Sequence, residues 1–187
     1  MELKNVCKSF GENEVLRDIS IGVPDGGRVL ITAPSGRGKT TLLRIMMGLE
    51  KPDSGEIKNR PRHQAAVFQE DRLPEEFTPV SCVKMTAPRG VTRDMIRAHL
   101  ALVGLEGHCD KPVSQLSGGM RRRVAIVRAV LSRAETLYFD EPFTGLDEET
   151  KKRTADYILK NCAGRTLIFV SHCPDDELLL NAKLLRI

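Results

Sequence analysis

The sequence predicts an α/β protein whose mostly parallel sheet is covered by helices on both faces. Three segments are almost entirely apolar, namely Arg28–Thr32, residues 137–139 and residues 166–170, and segments with helical apolar spacing follow the first two. Strands that are apolar throughout are typical of parallel sheets buried on both faces. The length of 187 residues suffices for one domain that buries its own core.

The middle of the chain departs from this alternation. Residues 79–106 have helical spacing and are divided by a proline and a glycine. We therefore expect a helical subdomain at about residues 70–118, inserted into an α/β core formed by residues 1–69 and 119–187. Four apolar side chains form the expected stripe along its second helix: Met95, Ile96, Leu100 and Val103.

Composition excludes several classes of protein. The net charge of +4 is too small to indicate binding to nucleic acid. Five cysteines, an odd number without CxxC spacing, argue against a disulfide framework or a zinc site and favour a reducing compartment. The sequence shows no signal peptide and no run of about 20 apolar residues, so we expect any membrane role to depend on a partner.

A phosphate-binding loop is predicted at residues 33–41, which follow a strand and open a helix. Backbone N–H groups of such a loop surround phosphates, and the helix N-terminus adds a favourable dipole. Lys39 would reach the β- and γ-phosphates, and the Thr40 hydroxyl would bind Mg²⁺. Ala33 stands where the usual pattern has its first glycine. The residues predicted to hold ATP here are Ser35, Gly36, Arg37, Gly38, Lys39, Thr40 and Thr41.

Two carboxylates follow the apolar strand at residues 137–139. Taken alone, the pair Asp140–Glu141 also fits a strand end followed by a helix cap. Downstream of a phosphate loop, an aspartate at this place holds Mg²⁺. The adjacent glutamate is then placed to polarise the attacking water as a general base.

A second anion cradle is predicted at residues 116–120, Leu-Ser-Gly-Gly-Met, at the start of a helix over residues 119–132. One ATP needs only one phosphate loop. A second cradle in the same chain is explained if it serves an ATP that is held by another copy.

Together these motifs resemble the ABC-type ATPases, over nearly the whole chain from residue 3 onwards. The resemblance implies a P-loop NTPase core with a small antiparallel β subdomain, and two ATP molecules held with Mg²⁺ at a head-to-tail dimer interface. It implies that Phe10 stacks on adenine, that Gln69 senses Mg²⁺ and the attacking water, and that His172 contacts the γ-phosphate. Residues 145–147 match the loop that crosses the dimer interface. Ser117, Gly118 and Gly119 match the signature that contacts the partner's ATP.

Two departures from the family pattern stand out. Met120 replaces the glutamine that usually follows the signature glycines, from which we expect weaker or altered dimer closure. The segment between Gly55 and Gln69 is short for the family, which implies a trimmed β subdomain.

The function implied by the resemblance is ATP hydrolysis that energises the transport of a small solute through a separate transmembrane permease. Import is favoured, because residues 69–74 are similar to those of nitrate, sulfonate and taurine importers. The expected location is cytoplasmic, at the inner face of the membrane. Expected partners are the permease, an identical or second cassette, and in an importer a solute-binding protein, but no nucleic acid.

Two other classes were weighed against a transport ATPase. ABC ATPases that act on nucleic acid or ribosomes carry an inserted coiled coil or two cassettes, and neither is seen here. A small-molecule kinase would have no role for the signature at residues 116–120. The sequence leaves open whether transport is import or export, and whether the two paired cassettes are identical or different.

A contact surface for the permease is expected at residues 70–90, because this segment begins at the γ-phosphate sensor and runs into the helical subdomain. Apolar anchors would form a groove for a short helix of the partner. The anchors are Leu73, Phe77, Val80 and Met85.

Overall fold

A computed structural model describes residues 1–34 and 36–187 of the chain. Eight strands and six α-helices alternate in this part of the molecule. The strands are β1 (Glu2–Phe10), β2 (Asn13–Gly22), β3 (Arg28–Thr32), β4 (Ser54–Lys58), β5 (Gln64–Val67), β6 (Thr136–Asp140), β7 (Thr166–Ser171) and β8 (Lys183–Arg186). The helices are α1 (Lys39–Met47), α2 (Pro79–Lys84), α3 (Arg93–Leu102), α4 (Gly118–Val130), α5 (Glu148–Asn161) and α6 (Asp176–Leu180).

Five strands form one parallel sheet in the order β5-β6-β7-β3-β8, which confirms the predicted fold class. Every residue of β6 and β7 is buried, as expected for central strands covered on both faces. The rings of Phe139 and Phe169 stack between these two strands with centroids 4.8 Å apart. Since all strands of this sheet run in one direction, their carboxyl ends meet at one edge.

A second, three-stranded sheet has the order β2-β1-β4 and is antiparallel, which confirms the small β subdomain. Its strand β4 lies close to β1 because Gly55 has no side chain. A Cβ at Gly55 would lie 2.4 Å from the Asn5 carbonyl oxygen. Helix α1 fills the space between the two sheets, with Leu42 and Met46 buried in a core that also includes Leu3 and Tyr138.

The segment at residues 70–118 contains α2, α3 and two short 3₁₀ turns. Its buried side chains, such as Val83 and Ile96, belong to the same core cluster as Phe139 of the parallel sheet. Helix α4 contacts α2, α3, α5 and β5, so it joins the segment to the core. The division of the chain into subdomains at residues 70 and 118 stays a prediction.

Two apolar side chains of this segment lie differently from the expectation. Met95 was expected in the buried stripe of α3 but is 46% exposed, whereas Ile96 and Leu100 are fully buried. Val80 was expected as a surface anchor but is 1% exposed. Val80 is buried because the apolar face of α2 packs against α4.

None of the helices in residues 1–34 and 36–187 combines the length and the apolar character needed to cross a bilayer. The five cysteines, all of them in the described part, form no disulfide, and Cys82, Cys109 and Cys162 are buried. These cysteines therefore act as small core residues or lie at the surface as thiols, in line with their sequence spacing.

Candidate functional site

The predicted site residues follow the carboxyl ends of four neighbouring strands. The phosphate loop follows β3, Gln69 follows β5, Asp140 and Glu141 lie at the end of β6, and His172 follows β7. Because these strands are parallel, one edge of the sheet presents all of these segments together. Crevices at this edge are where open α/β sheets bind ligands.

Glycine is required in the phosphate loop at the residue where α1 begins. Gly38 has φ = 78°, in the left-handed region, and a Cβ there would lie 2.6 Å from Val15 Cγ1 and 2.8 Å from the Val15 carbonyl oxygen. Gly36 also has a positive φ, and Arg37 is exposed. The predicted contact Ser35 lies outside the described residues. The start of α1 thus packs so closely against β2 that only glycine fits at residue 38.

Lys39 points back into the loop that precedes it. Its Nζ donates to the carbonyl oxygen of Ala33 at 2.8 Å and to that of Pro34 at 3.3 Å. The ammonium group therefore lies within the concavity formed by the loop and the start of α1. A helix N-terminus with a cation beside it suits the phosphates of a nucleotide. Thr41 follows on the same helix and is partly buried.

Thr40 and Asp140 form the next layer of the site. The Thr40 hydroxyl donates to Asp140 Oδ2 at 2.8 Å, and Asp140 is 2% exposed. Burial raises the pKa of the Asp140 carboxyl, and the hydrogen bond from Thr40 only partly opposes this. A hydroxyl and a buried carboxylate are oxygen ligands of the kind that Mg²⁺ prefers, so these residues fit the predicted metal.

Glu141 and His172 meet across the ends of β6 and β7. His172 Nδ1 lies 2.8 Å from Glu141 Oε2. The Glu141 side chain is 15% exposed and the imidazole is 70% exposed, so the histidine faces solvent while the carboxylate lies beneath it. Glu141 has φ = 50°, a left-handed conformation that is unfavourable for a residue with a Cβ. Its backbone N–H donates to the Val170 carbonyl at 2.9 Å, which fixes the strained turn.

Phe10 and Gln69 lie at the margin of this edge with exposed side chains. Phe10 closes the β1–β2 hairpin and is 52% exposed, so its ring is available for stacking and is not part of the core. Lys8 Nζ lies 5.1 Å from the centre of this ring. The same hairpin reaches the phosphate loop through the contact of Val15 with Gly38.

An arginine that sequence reasoning did not single out fixes the segment around Gln69. The guanidinium of Arg122, on α4, donates to the carbonyl oxygens of Phe68 and Gln69. Its Nε lies 3.2 Å from Asp71 Oδ1, and the arginine is only 6% exposed. Arg128, two turns further along α4, donates to the Asp71 and Arg72 carbonyls at 3.3 and 3.1 Å. The sequence shows only a run of three arginines, Arg121, Arg122 and Arg123, and gives no sign that the middle one is buried.

The predicted signature lies apart from the phosphate loop. Ser117 is the N-cap of α4, and its hydroxyl accepts from the Met120 N–H at 3.3 Å. Ser117 and Gly118 are exposed. A Cβ at Gly119 would lie 3.0 Å from Leu146 Cδ2, so the signature packs against the predicted interface loop. The structure thus brings Lys39, Thr40 and Asp140 together, and Glu141 with His172, while the signature forms the exposed start of α4 beside Leu146.

Clefts flank His172 on both sides. One of about 330 Å³ is lined by residues that include Glu141, Lys151, His172 and Asp176. Another of about 460 Å³ lies between His172 and the end of β3. A further cavity of about 480 Å³ lies near Arg60 at the opposite end of the sheet and contains none of the predicted site residues. The clefts at His172 are therefore the candidate site, because the predicted catalytic residues Glu141 and His172 line them.

A protein-family model described as ABC transporter matches residues 16–144 of the chain. The match includes the phosphate loop, the signature and the Asp140–Glu141 pair. It thus covers more than half of the chain.

Curated relatives of known assignment are also similar. The aliphatic sulfonates import ATP-binding protein SsuB 1 of Pseudomonas savastanoi is 37% identical over 187 residues, which cover 99% of this chain and 79% of that protein. The Fe(3+) ions import ATP-binding protein FbpC of Escherichia coli K12 is 36% identical, with 92% of this chain and 54% of that protein covered. The chain therefore spans about half the length of the iron-import relative.

Among solved structures, the post-hydrolysis dimer of the ATP-binding cassette MJ0796, bound to ADP and Pi, matches with a TM-score of 0.84. The two are 27% identical, and the match covers 100% of this chain and 93% of the other. The fold and the sequence thus agree with the family match, and the chain belongs to the ABC transporter family as an ATP-binding cassette.

Proposed function

We propose that this cassette binds and hydrolyses ATP and thereby energises solute transport, in the direction of import, through a separate membrane subunit. The observation that carries the proposal is the convergence of Lys39, the Thr40–Asp140 pair and the Glu141–His172 pair at one edge of the sheet. These are the cation, the metal-binding oxygens and the acid–base pair that phosphoryl transfer to water requires.

Each residue has a distinct role in this proposal. Lys39 and the N-terminus of α1 bind the phosphates, and the exposed ring of Phe10 stacks on the base. Thr40, Asp140 and Gln69 would hold Mg²⁺, which when bound neutralises charge on the phosphate oxygens. Glu141 orients the attacking water and accepts its proton. His172, hydrogen-bonded to Glu141, holds that carboxylate in place and faces the γ-phosphate.

A second cassette completes each site. Ser117 and Gly118 are exposed at the start of α4, and Gly119 is half-buried beside Leu146. These three residues would contact the γ-phosphate of an ATP held by the partner. The dimeric cassette structure with ADP and Pi supports such pairing. The partner is an identical copy or a second cassette.

The test of hydrolysis is the steady-state ATPase rate of the purified chain with Mg²⁺ and with EDTA. We expect turnover only with Mg²⁺. Glu141→Gln should lower kcat by at least about 100-fold, because it removes the base while every phosphate contact stays. The same variant should elute as a dimer with MgATP in size-exclusion chromatography. Wild-type turnover in Glu141→Gln would exclude Glu141 as the base, and a monomer would show that pairing needs a different cassette.

The relatives support import, though they do not single out one solute. At 37% and 36% identity they are named for sulfonates and iron, and a further one at 35%, from Spiroplasma citri, for spermidine and putrescine. Cassettes this similar are thus named for very different solutes, which is best explained if the membrane subunit and a solute-binding protein select the solute. The cassette then acts at the inner face of the membrane.

The permease would dock beside residues 70–77. A groove of about 300 Å³ lies there, lined by Leu73 together with the charged Glu70, Arg72 and Arg121. Phe77 and Met85 are 42% and 62% exposed and extend this surface. The groove adjoins the segment that Arg122 fixes next to Gln69, so a change at the γ-phosphate would reach it directly.

Replacing Leu73 and Phe77 together by Asp should abolish co-purification with the permease from solubilised membranes of the source organism, because two charges would enter an apolar contact. Basal ATPase should stay within about twofold of wild type, because neither side chain lines the clefts at His172. A melting curve checks that Leu73, which packs partly against the core, tolerates the charge. Leu49→Asp, at an exposed leucine after α1, is the matched control and should co-purify normally. Normal yield with the double variant would place the contact elsewhere.

A further inference from the structure

A buried polar network lies directly behind the turn that carries His172. The Ser171 hydroxyl donates to Asp176 Oδ2 at 2.7 Å, and the Cys173 N–H donates to the Ser171 hydroxyl at 3.0 Å. Ser171 and Asp176 are 3% and 2% exposed. Both neighbours of His172 are therefore tied to one buried carboxylate, while the imidazole itself is exposed.

The second oxygen of this carboxylate is bound by a lysine from a different helix. Lys151 Nζ lies 2.7 Å from Asp176 Oδ1, with 16% of the lysine side chain exposed. The hydrogen bond to Asp176 raises the pKa of the Lys151 ammonium, so the lysine is charged at neutral pH. Lys151 also lines the cleft of about 330 Å³ that contains Glu141 and His172.

Lys151 lies in the first turn of α5, and this position connects the network to the predicted interface loop. Its backbone N–H donates to the carbonyl of Asp147, the N-cap of α5, at 2.8 Å. Leu146, which directly precedes Asp147, is the residue whose side chain approaches Gly119. A continuous set of contacts thus runs from the signature through the start of α5 to the turn of His172.

Stability does not explain why an ion pair stands here. Well-packed apolar residues often serve as well as a buried ion pair or better, because desolvation opposes the attraction of the charges. What such a pair provides is a fixed distance between two elements, since Asp176 is 2% exposed and a buried carboxylate is costly to leave unpaired. Here the two elements are α5 and the segment that follows β7.

We propose that Lys151 and Asp176 are positioning residues for ATP hydrolysis: their ion pair holds the His172 turn against Glu141 and links it to the interface loop at residues 145–147. The inference rests on the proposed ATPase function. Neither residue contacts the reacting phosphate in this proposal, and both act through the position of His172.

The test compares Lys151→Met, Lys151→Arg and Lys152→Met. Lys152 is the exposed neighbour on α5 and is the matched control. Lys151→Met should lower kcat by about 10-fold or more, the usual effect of losing a supporting contact behind a site. The Kd for MgATP should change by less than about twofold, because Lys39 and α1 bind the phosphates. Lys151→Arg keeps the charge, has room in the adjacent cleft, and should restore kcat to within about threefold of wild type.

A merely structural role predicts a different result. Lys151→Met would then lose activity only in proportion to the fraction of chains that bind MgATP, with kcat per binding site unchanged. That result, or failure of Lys151→Arg to restore kcat while the protein stays folded, would overturn the proposal. If Lys151→Met does not fold, Ser171→Ala decides, because it leaves the ion pair intact and cuts its link to His172. A lower kcat at unchanged MgATP affinity supports the proposal, and a wild-type kcat excludes it.

Failure of the inference is separable from failure of the proposed function. The wild-type chain must hydrolyse MgATP, and Glu141→Gln must not, before the Lys151 series is interpreted. Wild-type turnover together with full kcat in Lys151→Met would leave the ATPase in place and reject the network.

Discussion

Helices α1 and α4 both begin beside glycines in exposed turns, and neither has an acidic residue in its first turn, whereas α5 has Glu148 and Glu149 there. They differ in how the helix start is completed. At α4 the Ser117 hydroxyl caps the Met120 N–H. At α1 the N-cap is Gly38, which has no side chain to offer.

The groups around the two helix starts differ in the same way. The N-terminus of α1 has Lys39, and through Thr40 it reaches the buried carboxylate of Asp140. The N-terminus of α4 lies beside the loop at Leu146, and the Arg123 Nε donates to the Gly119 carbonyl oxygen at 3.2 Å. In the proposed function, the start of α1 holds the phosphates and the metal with residues of its own chain. The exposed start of α4 would instead meet the phosphate of an ATP held by the partner cassette.

The largest effect should come from the start of α1. Lys39→Ala removes the cation from the loop of α1, and we expect ATPase activity to fall by at least about 100-fold with strongly weakened ATP binding. Steady-state hydrolysis and titration with MgATP measure the two effects. Lys51→Ala, at an exposed lysine after α1, is the control and should behave as wild type. Activity near wild type in Lys39→Ala would remove the distinction between the two helices.

An intermediate effect should separate the two glycines of α4. Both Gly118→Ala and Gly119→Ala should lower ATPase activity, since a methyl group would stand where the partner's phosphate approaches. Only Gly119→Ala should also lower the melting temperature, because its Cβ would lie 3.0 Å from Leu146 Cδ2 and 3.1 Å from the Gly145 carbonyl oxygen. At Gly118 nothing lies within 4 Å of the added Cβ. Equal melting temperatures for the two variants would contradict this packing.

The smallest effect concerns the Asp140 carboxylate, which accepts a hydrogen bond from Thr40 at the start of α1. Burial raises the pKa of Asp140, so in the absence of ligand the ionised group opposes folding. Asp140→Asn should abolish Mg²⁺-dependent hydrolysis yet raise the melting temperature at pH 7, by roughly 2–4 °C if the relief is about 1 kcal/mol. The gain is complete above the raised pKa and disappears as pH falls below the ordinary aspartate range, where both states are protonated. Melting curves at pH 4 and pH 7 check this, and an unchanged or lower melting temperature at pH 7 would contradict it.

Local chemistry made much of the fold predictable. Strand β3 was predicted with its observed bounds, since five residues between two turns have few alternatives. Asp147 was predicted as the N-cap of α5, and its carboxylate accepts from the Thr150 N–H at 2.9 Å. Asp140 and Glu141 were predicted as functional from an apolar strand downstream of a phosphate loop, whereas His172 was singled out only through the family resemblance.

Contacts between distant positions could not be predicted in this way. Arg122 and Phe68 are 54 residues apart, and nothing local shows that a guanidinium in a basic run turns inward. Lys151 and Asp176 likewise belong to different helices, and each is unremarkable in its own segment. Val80 was misplaced for the same reason, because an apolar residue in a short helix fits a core or a docking surface equally well until α4 is in position.

The left-handed backbone of Glu141 has a consequence for how such a protein can be improved. Glycine or asparagine at this position would relieve a strain of about 1 kcal/mol. A library selected for heat resistance alone would therefore be drawn towards replacing this residue. In the proposed mechanism Glu141 is the general base, so the selected variants would be more stable and would still bind ATP but would no longer hydrolyse it. Selection for a more stable cassette therefore requires a screen for ATP hydrolysis in addition to one for heat resistance.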